Sequence, residues 1–264
     1  MSNKEKVVVV LSGGQDSTTC LFWAKAQGLD INTVTFNYGQ RHSRELESAM
    51  LIAEMAGINP DKVEIITLGP VLKGTSPLVS DAKLEQYDNH NVLPGGLEKT
   101  FVPMRNQMFL TIAANRAYCI GASKLITGVC EEDFGGYPDC RRSFIDAFER
   151  VSSIGTFNVD TGFLNGLEVI TPLMKMTKAE SVHLALSLPG CYAALAYSHT
   201  AYDGQYPPTG NDHATLLRAK GFEQAGVPDP LVLRAVQESR MALPDAPNYT
   251  SALNLKYADI AGLI

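Results

Sequence analysis

The sequence predicts an α/β protein with a doubly wound, open parallel sheet and a mostly helical C-terminal extension. Its first apolar run, residues 7–11, is rich in β-branched valine, ends in Ser-Gly-Gly and leads into a segment compatible with a helix. Further short apolar runs alternate with helical periodicity up to residue 188, which favours right-handed βαβ units. From about Pro189 the chain becomes rich in Tyr, Pro, Gly and His. We therefore expect an α/β domain over residues 1–188 and an extension over residues 189–264.

Each predicted element follows from its local pattern. Strands are expected where short apolar runs end at turn residues or proline, over residues 32–40, 62–68, 124–129 and 167–171. Helices are expected over residues 43–57, 107–120, 141–153, 212–224 and 230–242. A further helix opens at Thr177, with Glu180 as its capping-box partner. Residues 69–99 have little periodicity and many Pro, Gly, Asp and Asn residues, so they form either a cover over a site or an inert surface loop.

Composition narrows the class of protein. The 264 residues are 45% hydrophobic and carry a net charge of −6, which is typical of a globular protein and argues against bulk nucleic-acid binding. Neither an N-terminal signal core nor a run of about 18 apolar residues is present, so we expect no membrane contact and a cytoplasmic location. The five scattered cysteines do not suggest a disulfide framework, and Cys20 and Cys119 are expected to face a core.

The Ser-Gly-Gly-Gln-Asp-Ser loop, residues 12–17, is predicted to bind phosphate. Two glycines permit a sharp turn, and the amides at the start of the following helix favour an anion. No lysine follows the glycines as in a Walker loop, and their spacing differs from the dinucleotide-binding fingerprint. Asp16 is expected either to hold Mg²⁺ or to position the loop, and an ordinary helix cap is the structural alternative.

A second polar loop follows the strand predicted at residues 124–129. Because ligands bind at the carboxyl ends of parallel strands, this loop is a candidate substrate site. Its aromatic side chains could stack on a flat heterocycle, and its carboxylates could accept N–H groups from a guanine-like base. A solvated surface turn is the alternative. The side chains concerned are Glu131, Asp133, Phe134, Tyr137, Asp139 and Arg141.

These stretches together resemble the 7-cyano-7-deazaguanine synthase family of the ATP-pyrophosphatase (N-type) superfamily, whose fold is adenine nucleotide alpha hydrolase-like. The resemblance covers roughly residues 6–230 and rests on residues 12–21, 36–42, 101–106, 127–141, 171–174, 178–180 and 217–222. It implies that ATP adenylates 7-carboxy-7-deazaguanine, that ammonia displaces AMP to give the amide, and that a second ATP converts the amide into the nitrile. ATP, Mg²⁺ and a homodimer are implied as well.

The resemblance also implies roles for individual residues. Asp16, Arg105 and Lys178 would be catalytic. ATP would bind to Leu11, Ser12, Gly13, Gly14, Gln15, Asp16, Ser17, Thr18, Phe36 and Tyr38. The deazapurine would bind to Arg105, Asn106, Glu131, Asp133, Phe134, Tyr137, Asp139 and Arg141.

One departure from the family concerns zinc. Of the four cysteine ligands that the family carries, only Cys191 is retained, and the other positions fall on Thr209, Asp212 and Thr215. Threonine hydroxyls are poor zinc ligands, so we expect no zinc. A substitute metal site is one alternative, built from Cys191, His199, Asp212 and His213. The other is a metal-free segment held by the packing of Tyr192, Tyr197, Tyr202 and Tyr206.

Three functions remain open at this point. The first is a complete nitrile synthase. The second is an enzyme that stops at 7-amido-7-deazaguanine or transfers the activated deazapurine to another amine, in DNA modification or defence. The third is a nucleotide-binding protein without catalysis, and retention of both the phosphate loop and residues 127–141 argues against it.

Overall fold

The computed structural model describes residues 4–39, 44–88, 97–131, 136–159, 163, 165–208 and 210–250. These residues form a sheet of five parallel strands in the order β3-β2-β1-β4-β5. The strands are Lys6–Val10 (β1), Asp30–Asn37 (β2), Val63–Thr67 (β3), Lys124–Ile126 (β4) and Glu168–Ile170 (β5). The predicted open parallel sheet is thereby confirmed.

Eight α-helices accompany the sheet in the described part of the chain. They are Gln15–Ala26 (α1), Arg44–Met55 (α2), Arg105–Cys119 (α3), Arg142–Gly155 (α4), Lys178–Ser187 (α5), Cys191–Leu195 (α6), His213–Ala225 (α7) and Pro230–Gln237 (α8). The capping box predicted at the start of α5 is confirmed, because Glu180 N donates to Thr177 Oγ1 at 3.2 Å and Thr177 N donates to Glu180 Oε2 at 2.7 Å. Sequence periodicity missed α6, whose five residues are too few to show a helical repeat. It also extended α8 too far, because the chain turns at Ser239, where φ is 57°.

Helices cover both faces of the sheet because side chains alternate along each strand. Val7 and Val9 of β1 pack with α1, α2, α5 and α7 on one face, whereas Val8 packs with α3 and α4 on the other. Phe222 of α7 is fully buried in the first of these cores, so the C-terminal segment shares a core with the sheet. The expectation for Cys119 was wrong: this residue is exposed, because the last turn of α3 presents it to solvent.

The strand order creates a topological switch point beside β1. Since β1 pairs with β2 on one side and with β4 on the other, the connections leave in opposite directions and a crevice opens at the carboxyl ends of β1 and β4. Residues 12–14 and 127–130 follow these two strands and therefore lie at the crevice.

Residues 69–88 and 97–99 contain neither helix nor strand, and they lie against the segment that precedes α7. Tyr87 N donates to Asn211 O at 2.9 Å, and Asn211 N donates to Gln86 Oε1 at 2.8 Å. This loop is thus tied to the C-terminal segment. None of the helices in the described ranges is long and apolar enough to span a membrane.

Candidate active site

The phosphate loop connects β1 to α1 and is held by its own hydroxyl groups. Ser12 Oγ and Ser17 Oγ share a hydrogen bond of 3.0 Å, and Thr18 Oγ1 donates to Gly14 O at 2.8 Å. Gly14 is the N-cap of α1 and no side chain caps this helix, so the capping role considered for Asp16 is not observed. The first-turn amides of α1 are therefore available to an anion in the crevice.

Close packing at two glycines fixes this loop. Gly13 has a φ of 82°, and a Cβ atom on it would lie 2.4 Å from Glu45 O at the start of α2. A Cβ atom on Gly128, just after β4, would lie 2.9 Å from the carbonyl carbon of Asp16. Since neither position has room for a side chain, glycine is required at both for the loop to sit between α2 and the end of β4.

Asp16 and Lys178 form an ion pair beside the loop. Lys178 Nζ lies 2.6 Å from Asp16 Oδ2, and the two side chains are 15% and 23% exposed, respectively. Lys178 is the first residue of α5, whose start is fixed by the capping box. A Cβ atom on Gly221 of α7 would lie 2.7 Å from Lys178 Cβ, so α7 packs directly against this lysine. The fold thus brings together two predicted catalytic residues from distant parts of the chain.

The first of two adjoining cavities lies beside β1 and has an aromatic wall. Phe36 and Phe109 stack with their ring centroids 4.3 Å apart, and the ring of Tyr38 lies 5.2 Å from that of Phe109. We call this space of about 290 Å³ the aromatic cavity. Such a wall suits a flat heterocycle. Predicted residues that also line this cavity are Leu11, Ser12, Gly14, Gln15, Asp16, Ser17, Arg105 and Asn106.

Arg105 enters the aromatic cavity from the first turn of α3. The preceding residue, Met104, has a left-handed backbone with φ of 66°, which turns the chain into the helix two residues earlier than expected. Burial opposes the charge of Arg105, but the neighbouring Tyr38, Tyr137 and Asp139 raise its pKa above the usual value. Arg105 therefore supplies a permanent positive charge for a carboxylate or a phosphate.

The second cavity, of about 220 Å³, lies between the phosphate loop and the C-terminal segment. We call it the histidine cavity because His199 and His213 line it, together with Lys178 and Tyr137. The two cavities adjoin each other, because they share the lining residues Gly14, Gln15, Asp16, Glu45 and Tyr202.

Two buried nitrogen atoms of the histidine cavity lack a hydrogen-bond partner within the described ranges. They are Gln15 Nε2 and His213 Nε2, and both residues are buried. The second atom lies 3.9 Å from Glu98 Oε1, which is too far for a hydrogen bond. Buried polar atoms are usually paired, so both atoms are suited to meet a polar ligand.

Glu45 is a partly buried carboxylic acid at the junction of the two cavities. Burial raises its pKa from 4.5 to about 7, against the lowering effect of the Arg105 charge. The folded protein therefore holds this proton more tightly than the unfolded chain does. Stability of the ligand-free fold consequently falls as the pH rises from about 4.5 to about 7 and this group ionises.

Some predicted residues do not reach either cavity. Glu131 is exposed and accepts a hydrogen bond from Arg142 N at 2.8 Å, and Arg141 is exposed at the N-cap of α4. Asp139 is buried, and its pKa is raised by burial in spite of nearby Arg105. Gly13 and Thr18 are buried in the loop itself. Asp133 and Phe134 lie outside the described residues.

Sequence reasoning missed several residues that line the cavities. Phe109 follows Arg105 by four residues on α3, so helical periodicity could have placed it on the same face. Glu45 lies just after the second predicted strand, at a sheet edge that favours ligands. His199, Tyr202 and His213 were considered only as metal ligands or packing residues, and their place beside the loop depends on tertiary structure.

Positions 191, 209, 212 and 215 correspond to the zinc-binding cysteines of the family, and the residues described there are not suited to bind zinc. Thr215 N and Thr215 Oγ1 donate to the two carboxylate oxygens of Asp212 at 3.1 and 2.8 Å, so that Asp212 caps α7. Burial raises the pKa of Cys191 to about 12. Thr209 lies outside the described residues. Within the ranges that the structure covers, no three His, Cys, Asp or Glu side chains are grouped to hold a metal.

A buried arginine organises the C-terminal segment. Arg218 of α7 donates to both carboxylate oxygens of Asp229 at 2.6 and 2.9 Å, and both side chains are 4% exposed. It also donates to Ser198 Oγ at 2.7 Å and to Thr200 Oγ1 at 2.8 Å. Next to this network, His199 N donates to Gly13 O at 2.8 Å. Arg218 thus links α7 to residues 198–200, of which His199 contacts the phosphate loop.

The parallel sheet and its lysine-free glycine loop at the switch point define an α/β protein of the doubly wound, open-sheet class. A family model described as "Queuosine biosynthesis protein QueC" matches residues 6–226, and the chain belongs to this family. A 7-cyano-7-deazaguanine synthase from Gloeobacter violaceus is 49% identical over 229 residues, which are 86% of this chain and 95% of that protein. One from Chromobacterium violaceum is 45% identical over 241 residues, 90% of this chain and 98% of that protein.

Among solved structures, a 4-thiouridine synthetase–RNA complex with bound ATP aligns with a TM-score of 0.44 and 18% identity. The alignment covers 98% of this chain and 52% of that chain, and so distant a likeness carries no functional information.

Proposed function

We propose that this chain is an ATP-dependent ligase that adenylates 7-carboxy-7-deazaguanine and, with ammonia, converts it to 7-cyano-7-deazaguanine, releasing AMP and pyrophosphate. The observation that carries the proposal is the Asp16–Lys178 pair beside the start of α1, next to an aromatic cavity that contains Arg105. The name of the relatives supports the product.

The proposed chemistry needs positioning and charge stabilisation. First, a carboxylate oxygen of the deazapurine bonds to the α-phosphorus of ATP, and the bond from that phosphorus to the pyrophosphate oxygen breaks. The α1 amides and Lys178 stabilise the charge on the departing pyrophosphate, and Arg105 holds the carboxylate. Next, ammonia bonds to the acyl carbon and AMP leaves with the carboxyl oxygen. The amide oxygen then bonds to the α-phosphorus of a second ATP as pyrophosphate leaves, and loss of AMP and of the two amide protons gives the nitrile.

Mg²⁺ neutralises phosphate charge when it is bound with ATP, and Asp16 is the carboxylate whose oxygen atoms suit that ion beside the loop. We propose no role for zinc, because Asp212 and Thr215 bind each other and only Cys191 of the four positions is a cysteine.

Mass spectrometry of the products tests the proposal. The protein is incubated with 7-carboxy-7-deazaguanine, ATP, Mg²⁺ and ammonium, and the expected products are the nitrile and AMP. Accumulation of the amide without the nitrile would select an enzyme that stops at 7-amido-7-deazaguanine. If the acid is not consumed, both ligase assignments are wrong.

Replacing His213 with asparagine is expected to weaken pyrophosphate binding about tenfold, because a hydrogen bond to a charged group is lost. Its unpartnered Nε2 atom lies in the histidine cavity, where the phosphate loop and Lys178 would hold the leaving group. Calorimetric titration with pyrophosphate and, separately, with AMP measures the effect. AMP affinity should remain unchanged, and so should both affinities in His183→Asn, a variant of an exposed histidine on α5. Equal losses for the two ligands would contradict a specific contact with pyrophosphate.

A further inference from the structure

Glu45 occupies a special position between the aromatic cavity and the histidine cavity. It lies in the first turn of α2 and lines both cavities. The contact of its backbone oxygen with Gly13 holds that turn directly against the phosphate loop. Arg105 acts on its carboxylate electrostatically, and no hydrogen bond to the carboxylate is found among the described residues. The carboxylate therefore lies at the junction, where it lines both cavities that a ligand could occupy.

The other titratable residues shared by the two cavities are poorly suited to accept a proton. Asp16 is engaged with Lys178 at 2.6 Å. Burial and nearby Tyr137 raise the pKa of Tyr202 well above its usual value, so its phenol holds its proton. His199 and His213 line only the histidine cavity, and His199 Nε2 is hydrogen-bonded to Ala201 O at 2.7 Å.

The proposed reaction requires a proton acceptor in this place. When ammonia attacks the adenylate, its nitrogen becomes positively charged and must lose a proton before AMP is expelled efficiently. The acyl carbon of the adenylate must lie between the nucleotide, in the aromatic cavity, and the incoming amine. The junction of the cavities meets this requirement.

We infer that Glu45 is the catalytic residue that accepts the proton from the amine nucleophile, an inference that rests on the proposed function. As the nitrogen bonds to the acyl carbon, one proton moves from nitrogen to the Glu45 carboxylate. The bond from the acyl carbon to the AMP oxygen then breaks, and AMP leaves with the electron pair. Glu45 returns its proton to water. A pKa near 7 agrees with this role, because a substantial fraction of the group is ionised at neutral pH and can still hold a proton after transfer.

The test separates adenylation from attack by the amine in Glu45→Gln. Adenylation is measured without amine, as exchange of labelled pyrophosphate into ATP that depends on 7-carboxy-7-deazaguanine. Attack is measured as amide formation with ammonium. We expect exchange close to that of the wild type and a loss of amide formation of about 100-fold or more. Hydroxylamine should restore much of the rate, because the more acidic N–H of its adduct loses a proton to water readily.

Two further variants act as controls. Glu47→Gln, on an exposed residue of the same helix, should match the wild type in both assays. Glu45→Asp keeps a carboxylate and should retain part of the amide-forming rate, provided that its melting temperature shows a folded protein. His213→Asn should not show the pattern expected of Glu45→Gln, in which amide formation is lost, exchange is kept and hydroxylamine restores the rate.

Three outcomes would overturn the inference. The first is amide formation from ammonium by Glu45→Gln at the wild-type rate. The second is an equal loss of exchange and amide formation, which would mean that Glu45 positions ATP. The third is the same selective, hydroxylamine-repaired loss in His213→Asn but not in Glu45→Gln. Failure of the proposed function looks different, because the wild type itself would then show no substrate-dependent exchange.

Discussion

Replacing Asp16 with alanine is expected to reduce AMP formation from 7-carboxy-7-deazaguanine and ATP by about 100-fold or more. The substitution removes the carboxylate that would hold Mg²⁺ and separates Lys178 from its partner at 2.6 Å. Rates of AMP release, measured at saturating substrate, check the prediction. The melting temperature is measured alongside, because the two side chains are only 15% and 23% exposed and the substitution leaves Lys178 without this partner.

The chain offers a matched control for this variant. Asp30 forms an ion pair with Lys62 at the opposite end of β2, away from the carboxyl ends of the strands. Asp30→Ala removes the same side chain from a second Asp–Lys pair and should leave AMP release unchanged. If Asp16→Ala releases AMP at the wild-type rate, the Asp16 carboxylate has no role in the mechanism.

Replacing Arg218 with alanine is expected to lower the free energy of unfolding by about 3–5 kcal/mol, since it leaves the Asp229 carboxylate buried without its partner. The melting temperature should fall by roughly 10 °C for a chain of this size. Activity should fall as well, because the same guanidinium anchors Ser198 and Thr200 on either side of His199, which contacts Gly13 of the loop. Thermal unfolding followed by circular dichroism measures the loss of stability.

Two comparison variants make the Arg218 result specific. Arg116→Ala breaks an exposed pair with Glu64, whose closest N–O distance is 2.9 Å, and should cost less than about 1 kcal/mol. The double variant Arg218→Met with Asp229→Leu should recover part of the stability, because no buried charge is left unpaired, although the Asp229 cap of α8 is lost. An Arg218→Ala variant as stable as the wild type would show that the network does not hold the segment.

The hydrogen bonds of Arg218 provide a way to hold the C-terminal segment together without zinc. If buried polar contacts hold the segment, a zinc chelator should leave the melting temperature of the wild type unchanged. Elemental analysis that finds about one zinc per chain would contradict the metal-free assignment.

The sheet and the loop could be predicted from local sequence signals. The valine run, the two glycines and the capping box at Thr177 each determine structure within a few residues, and the structure has them where expected. Helix ends were less predictable, because they depend on single backbone conformations such as those of Met104 and Ser239.

The site was most predictable on the side built by the strand ends. Phe36, Tyr38 and Arg105 follow strand-end or helix-start signals and line the aromatic cavity. The histidine cavity depends on contacts between distant segments, such as His199 with Gly13 and Glu98 with His213, which no local pattern reveals. Tyrosines expected to hold the C-terminal segment do pack there, since the Arg234 guanidinium lies 4.7 Å from the ring centroid of Tyr197 and 4.2 Å from that of Tyr206. The buried polar contacts of Arg218 were not predicted. Helix α7 ends at Ala225, before the chain reaches Asp229, so helical spacing could not indicate the pair of Arg218 with Asp229.

Transfer of an isotope label tests carboxylate adenylation most directly. The substrate is 7-carboxy-7-deazaguanine with ¹⁸O in both carboxylate oxygens, and mass spectrometry follows the label during turnover with ATP, Mg²⁺ and ammonium. Adenylation predicts that each nitrile is accompanied by two AMP molecules with one ¹⁸O each, and that pyrophosphate is unlabelled. An enzyme that stops at the amide would give one labelled AMP and retain the second label in the amide. Label in inorganic phosphate or in water, with AMP unlabelled, would contradict adenylation of the carboxylate.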